Sequence, residues 1–442
     1  MSVIESARAS NYEFLGIYKD NRSRPVTIAG KTVSMDYYES VYSPTVTAIL
    51  QEVDTGGTVI SNDTGLKGTL KDALPIEGFE ELGFTIRNSS SSRPLSYGID
   101  QPPLLIKGTP NILEDGTSQS VLLNAASKHE FDNAQTPIRS YYRGRINETV
   151  DNLLQELGVP PSRRFIEPTQ NNEAVTGRSR SPFDIILSLC KKAIPVQGDP
   201  GFFFYQTQDG FNFRSIDSLI KEGSSNIREY DWYKDTHTYS YNPGWASGSS
   251  DKQKGINNFK ILDVPHIIKD QDVLESLENG TYSVRFITTN PLTFEVKEEV
   301  VNLLSKTNLG KQQIFDSNID SNKFHATYST ILDVGSYEPG ISKIELNSPV
   351  RWDALANMRY NLLHAQLMEI QVPSNLNLRA GEVVRVNLAN VTLEDKALSM
   401  WNQNRSGDYL ILHLCHHFDP ENSYTSMTLA RDTYGLYKSV NY

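Results

Sequence analysis

Apolar and polar positions alternate along this chain in two rhythms, and the changes of rhythm divide it. From Asp36 onward the period is two. "YSPTVTAILQEVD" places Val46, Ala48 and Leu50 on one strand face, and "LPIEGFEELGFTI" places Leu82, Phe84 and Ile86 on another after Gly78. "PPLLIKG" and "QSVLLNAASKHEF" add two strands, with Asp115-Gly116 between them as a turn signal. Residues 36–131 therefore read as a small antiparallel barrel or sandwich. Residues 1–35 show little periodicity and read as an amino-terminal arm.

The rhythm then becomes helical. In "RGRINETVDNLLQELGVPPS", Ile146, Val150, Leu153, Leu154 and Leu157 form one stripe, ended by Gly158 and Pro160. In "SPFDIILSLCKKAIPVQGDPGFFFYQTQDGFNFRSIDSL", Ser181 can cap a helix with Asp184 three positions on, and Pro182 suits its first turn. Phe183, Ile186, Leu187, Cys190 and Ile194 continue at helical spacing until Pro195 and Gly198 stop the helix. Two aromatic strands follow, 202–207 and 211–215, around the turn signal Asp209-Gly210. Their aromatics alternate with Gln206, Asn212 and Arg214 only in part, so the hairpin is expected to be buried on one face and covered on part of the other. Residues 132–223 thus form a mixed linking unit of helices and an aromatic hairpin.

Residues 224–340 are the least regular, an expected inserted β-rich domain with long loops. "TYSVRFITT" and "LTFEVKEEVV" are its strand-like runs. Residues 341–442 return to period two after a helix in "SPVRWDALANMRYNLLHAQ". "LMEIQVP" is a strand. "LRAGEVVRVNL" sets Val384, Val386 and Leu388 against Arg385 and Asn387. "GDYLILHLCHHFD" sets Leu410, Leu412 and Leu414 against Tyr409, Ile411 and His413, and "SYTSMTLARDTYG" closes a second small barrel. The two end units follow a like order: strand, glycine followed by an acidic residue, strand, then a pair of longer strands. The fold class expected is α+β, predominantly β.

Charge and composition narrow the function. With 53 acidic against 42 basic residues and a net charge of −11, the chain is a poor match for stable duplex binding, which draws on a positive surface. Two cysteines, Cys190 and Cys415, provide no disulfide framework. No segment has the length and apolarity of a signal core or a membrane span, so membrane insertion is not expected. A chain made and assembled in the cytoplasm is the expectation.

Candidate chemistry is sparse. No P-loop, GxGxxG, GxSxG or HExxH is present. On a strand, "HLCHH" points His413, Cys415 and His417 to one face, and those residue types ligate zinc or copper. Alternate strand residues lie about 6.5–7 Å apart, too far for three neighbours to share one ion readily. Half-buried strand residues are the commoner meaning. Glu80/Glu81 and Glu298/Glu299 are adjacent, so each pair points to opposite strand faces and reads as solvated surface, not an acid–base couple. "PSRRF" and "GRSRS" are short basic loops that could touch phosphate. Trp232, Tyr239, Tyr241 and Trp245 could offer flat faces to sugar rings, although such aromatics more often fill cores and interfaces. No catalytic, cofactor-binding or metal residue is assigned, and no cofactor is expected.

The carboxy-terminal unit resembles the second tube-type barrel of baseplate hub proteins from contractile-tailed bacteriophages, relatives of the hub part of type VI secretion spike proteins. The residues that carry the resemblance are Gly381-Glu382, then Gly407, Tyr409, Ile411 and His416, then Tyr424, Thr428, Leu429, Arg431 and Asp432. The helix and aromatic hairpin resemble the segment linking the two barrels in that family, and "LPIEGFEELGFTI" the matching strand of its first barrel. The resemblance runs from about residue 36 to 437 and is weakest over 224–340.

It implies a non-enzymatic virion protein of the tail baseplate. Three chains would form a homotrimeric ring of six similar barrels, with one face on the tail tube protein and the other on the central spike protein. Tape measure and wedge proteins would be further neighbours, and DNA would pass through the channel without specific binding. The alternatives are a host-surface or glycan-binding tail protein and a hub that also degrades peptidoglycan.

Overall fold

The computed structural model describes residues 10–19, 25–55, 59–60, 65, 67–70, 74, 76–88, 91–98, 101–116, 118–223, 227–232, 259–270, 272–289, 294, 296–302, 326–331, 343–390, 401–419 and 422–433. The fold is α+β and predominantly β. In the first unit the strands are β1 (Ser10–Tyr18), β2 (Val26–Thr27), β3 (Thr32–Ser40), β4 (Thr47–Asp54), β5 (Val59–Ile60), β6 (Lys67–Gly68), β7 (Glu81–Asn88), β8 (Leu95–Tyr97), β9 (Leu104–Asp115) and β10 (Ser118–Ser127). The main path of hydrogen-bonded neighbours runs β3-β4-β10-β9-β7-β1-β2. Alternation works as read: Val46, Ala48 and Leu50, with Leu82, Phe84 and Ile86, lie in one apolar cluster. Burying a side chain of that size contributes roughly 1.5–3 kcal/mol.

The described residues of the stretch read as an arm are largely strand. β1 runs antiparallel along β7, and Leu15 and Ile17 are fully buried. Its signal is broken because the pairing shifts between Tyr12 and Phe14, and a bulge interrupts the period of two.

The linking unit comprises a helix at Lys128–Gln135, β11 (Tyr141–Arg145), a helix at Ile146–Glu156, β12 (Arg164–Ile166), β13 (Asn172–Thr176), a helix at Pro182–Cys190, β14 (Phe202–Thr207), β15 (Gly210–Ser215) and a helix at Ile216–Gly223. The Ser181 hydroxyl accepts from the Asp184 amide at 3.3 Å and donates to its carboxylate at 2.6 Å. That helix ends at Cys190, a turn earlier than the spacing of Ile194 suggests, although Ile194 is still buried. Every residue of β14 is buried, so its second face is covered more fully than the partial cover expected. Phe202 and Phe204 pack with the helices Ile146–Glu156 and Pro182–Cys190, while Phe203 and Tyr205 pack with the helix Ile216–Gly223 and towards the second unit.

The second unit contains β16 (Arg228–Trp232), β17 (His266–Asp270), a helix at Val273–Glu278, and then a separate small sheet. That sheet consists of β18 (Ser283–Thr289), β19 (Val296–Asn302) and β20 (Ala326–Ile331). A long helix, Lys343–Leu363, leads to β21 (Gln366–Pro373), β22 (Val383–Leu388), β23 (Gly407–Phe418) and β24 (Tyr424–Arg431). The expected insertion at 224–340 is therefore narrower than read. β16 pairs with β22 and β17 with β21, so its flanks belong to the second unit's sheet. Their partners lie about a hundred or more residues downstream, which a local pattern does not reveal.

The two end units repeat one path. β10 pairs with β4 and β9, and β9 with β7; likewise β24 pairs with β21 and β23, and β23 with β22, all antiparallel. β3 flanks β4 as β17 flanks β21, and β1 flanks β7 as β16 flanks β22, although the last pair is parallel. The turns entering the third strand match bond for bond. Phe79 N donates to Ile106 O at 2.9 Å and Ile106 N to Glu80 O at 2.9 Å; Gly381 N donates to Ile411 O at 2.9 Å and Ile411 N to Glu382 O at 2.9 Å. Each unit surrounds its own apolar core.

Candidate functional site

The site that the fold builds most elaborately is the seam between the end units. β3 of the first pairs antiparallel with the outer half of β23 of the second, from Ser40 opposite His413 to Met35 opposite Phe418. One sheet of 14 strands thereby runs through both units. Main-chain pairing fixes register more rigidly than side-chain contacts alone.

Behind the seam, Glu39 on β3 is buried and its carboxylate gathers three elements. It accepts from Gln208 N at 2.8 Å, from Ala380 N at 3.0 Å and from Tyr37 Oη at 3.0 Å. Burial raises its pKa, against the pull of Arg379 and these bonds. Tyr37 Oη meets Tyr97 Oη at 2.8 Å. Arg379 donates to Asp209 Oδ2 at 3.1 Å, to Gln208 Oε1 at 2.5 Å and to the Leu376 carbonyl at 2.7 Å. Asp209, chosen by the sequence only as a turn residue, thus also anchors the aromatic hairpin to the second unit.

The residues that carried the family resemblance converge nearby. Gly407 has φ 144°, and a Cβ there would stand 2.9 Å from an Arg431 nitrogen. Arg431 lies over the Tyr409 ring at 5.3 Å and donates to Ser406 O at 3.0 Å. Asp432 takes one side of the Arg359 guanidinium at 2.9 Å and Asp217 the other at 2.9 Å; all three side chains are at most 4% exposed. This clasp joins the long helix, the linking unit and the end of β24. Nothing in local sequence marks Asp217 or Arg359, because their meeting is wholly non-local.

The histidine run lies on the seam. His413, Cys415 and His417 share a face, as alternation requires, and His416 is buried on the other. Leu414 does not follow Leu410 and Leu412. A bulge between Ile411 and His413 moves it to the face of Ile411, inside the second core. His413 packs on Tyr42 at 5.5 Å between ring centres, and burial lowers its pKa. Burial pushes the Cys415 thiol up to about 12, and Asp36 at 3.8 Å adds to this. His417 Nδ1 lies 2.6 Å from Asp36 Oδ1, and that bond raises its pKa. Burial drives His416 down to about 3. Among the described residues, no group of three or more His, Cys, Asp or Glu is placed to hold a metal ion.

The other candidates resolve into architecture. Glu80 is buried, not solvated, and its carboxylate accepts from Glu77 N at 2.8 Å and Gly78 N at 3.0 Å. Glu298 pairs with Arg285 across a sheet. Arg163 bonds Gln101 and the Gln208 carbonyl, and Arg164 bonds Asp151 and the Val159 carbonyl. Arg385 bonds Asp408 and Glu229, and Asn387 bonds Asp231, so both face neighbouring strands. Trp232 packs on the second core. Tyr239, Tyr241 and Trp245 lie outside the described residues. A cleft of about 310 Å³ beside β22 holds Arg214, Arg228 and Arg379, each paired with an acid: Glu222, Glu382 and Asp209. No helix among the described residues is long and apolar enough to cross a membrane.

Comparison with known proteins agrees with this arrangement. No protein-family model matches the chain. A probable baseplate hub protein, gp334 of Vibrio phage KVP40, is 22% identical over 419 residues, covering 92% of this chain and 91% of that protein. The chain resembles phage baseplate hub proteins. Its fold is also that of solved phage tail proteins. The 43 kDa tail protein of prophage MuSo2 from Shewanella oneidensis matches with a TM-score of 0.52 at 8% identity, covering 95% of this chain and 98% of that one. A tail protein from Neisseria meningitidis MC58 matches with a TM-score of 0.52 at 10% identity, covering 96% and 97%. The likeness to gp334 is one of sequence, and those to the two solved tail proteins are of fold.

Proposed function

We propose that the chain is the hub of a phage tail baseplate, assembled as a homotrimeric ring that adapts a six-fold tail tube to a three-fold spike. The observation that carries this reading is the internal repeat. Two units of one path stand side by side in one chain, joined edge to edge through β3 and β23. Three such chains supply six similar units, and a closed cyclic contact satisfies every copy alike. One face of the ring then presents six equivalent positions to a tube, while the linking and inserted segments recur only three times and suit a spike.

The role is mechanical. At the seam, Glu39 and Arg379 are engaged in holding main chain and each other's neighbours, through contacts far apart in sequence. A chain of net charge −11 would let DNA pass with little adhesion. Light scattering on the purified protein, with class averages from electron microscopy, tests the reading. A trimeric ring with six lobes on one face is expected. A mass that stays monomeric alone and with each tail partner would overturn it.

A further inference from the structure

The internal seam is a template for an external one. In the second unit, the inner end of β23 pairs with β22 through Gly407–Leu410, and the outer half from His413 receives β3. In the first unit, the inner end of β9 pairs with β7 through Leu104 and Leu105 and is bonded to the Phe79–Glu80 turn at Ile106. Beyond Ile106, among the described residues, β9 pairs with β10 alone. Among the described residues its β7 side is therefore unpaired at the place where β23 is covered. The strand equivalent to β3 is β17. It ends the sheet, pairing only with β21 among the described residues.

We infer that β17 of one copy adds antiparallel to the outer half of β9 of a second copy, repeating between chains the β3–β23 joint found within one. The number of copies rests on the ring reading above; the joint itself rests on the repeat. Three observations favour a second copy as the occupant. Both halves of the joint are present on one chain at opposite ends of its sheet, so successive copies continue it without a new surface. Apolar residues flank both edges in the open: Leu113 is 72% exposed on β9, Ile268 48% on β17 and Val264 69% just before it. The repeat also sets the register. Tyr37 and Ile267 hold matching positions, opposite Ala48 and Met368, which places His266 where Asp36 stands. Asp36 faces His417 within the chain. His266, which lies 3.8 Å from Glu369 in its own chain, would then face Leu113 of β9, with Asp115 two positions further along the same face.

The test combines mass with cross-linking. His266→Cys and Leu113→Cys are made separately, and both sites are exposed. Mixing the two single variants under mild oxidation is expected to give a disulfide-linked dimer that neither gives alone. The double variant is expected to give a ladder ending at three chains. Light scattering on the wild type is run alongside. An oligomer without the cross-link would overturn the joint and leave the ring reading standing. A monomer without the cross-link would overturn both. Amide exchange on the wild-type oligomer reads the same contact without substitution: slowed exchange over Gly108–Leu113 is expected, and unchanged exchange would sink the joint.

Discussion

The turns that enter β7 and β22 have the same backbone and opposite side chains. Phe79 has φ 73° and Gly381 φ 84°, and their hydrogen bonds to the facing strand are identical. Phe79 is 59% exposed, its ring touching Phe131 at 5.0 Å between centres. At Gly381, a Cβ would lie 2.1 Å from the Tyr205 hydroxyl. The turn itself tolerates a large residue at some strain. What demands glycine in the second unit is the aromatic hairpin packed over it. The repeat therefore lies in the main chain, and the coverings make the units differ. The first unit leaves its turn open, while the second is clamped by the linking unit and the long helix.

Removing the clamp should separate the units most. Arg359→Met leaves Asp217 and Asp432 facing each other without their shared cation. Breaking a buried pair this way costs about 3–5 kcal/mol, and a denaturation curve should show it, with earlier loss of protection in β24 than in β10. Next comes Gly381→Ala. Overpacking against Tyr205 plus a side chain in the left-handed region should cost about 2–4 kcal/mol. Phe79→Ala, the same residue at the matching turn, should cost under about 1 kcal/mol. Equal losses would mean that the turn, not its covering, sets the requirement.

A smaller effect separates β4 from β21. The repeat aligns Glu52 with Val372. Burial lifts the Glu52 pKa to about 8 from 4.5, its Oε1 accepting from Thr32 at 2.6 Å. Being protonated in the folded state and charged once unfolded, it contributes stability that is complete below pH 4.5 and fades as pH rises to about 8. Glu52→Gln should remove that slope, worth on the order of 1–3 kcal/mol. Urea midpoints at pH 5 and pH 8 should converge in the variant and differ in the wild type. A slope unchanged by the substitution would assign the pH response to other groups.

Most strands of both units were legible because burial on one face enforces a period of two, and Leu82, Phe84 and Ile86 or Val384, Val386 and Leu388 obey it. The linking helices and aromatic hairpin were legible for the same kind of reason, through spacing, the Ser181 cap and the Asp209-Gly210 turn. β1 was missed and Leu414 misplaced where bulges break the period. The seam was not legible at all. Alternation says which face of a strand is buried and is silent on which strand lies beside it.

The sequence by itself thus determined the class of the fold, its helical interruption and the apolar faces, since those follow from neighbours within a few residues. Only the tertiary structure decided that β3 joins β23, that β16 and β17 belong to the second unit, and that Arg359 holds Asp217 and Asp432. Those pairings join residues far apart in the chain, and their free energy appears only once the intervening segments have folded.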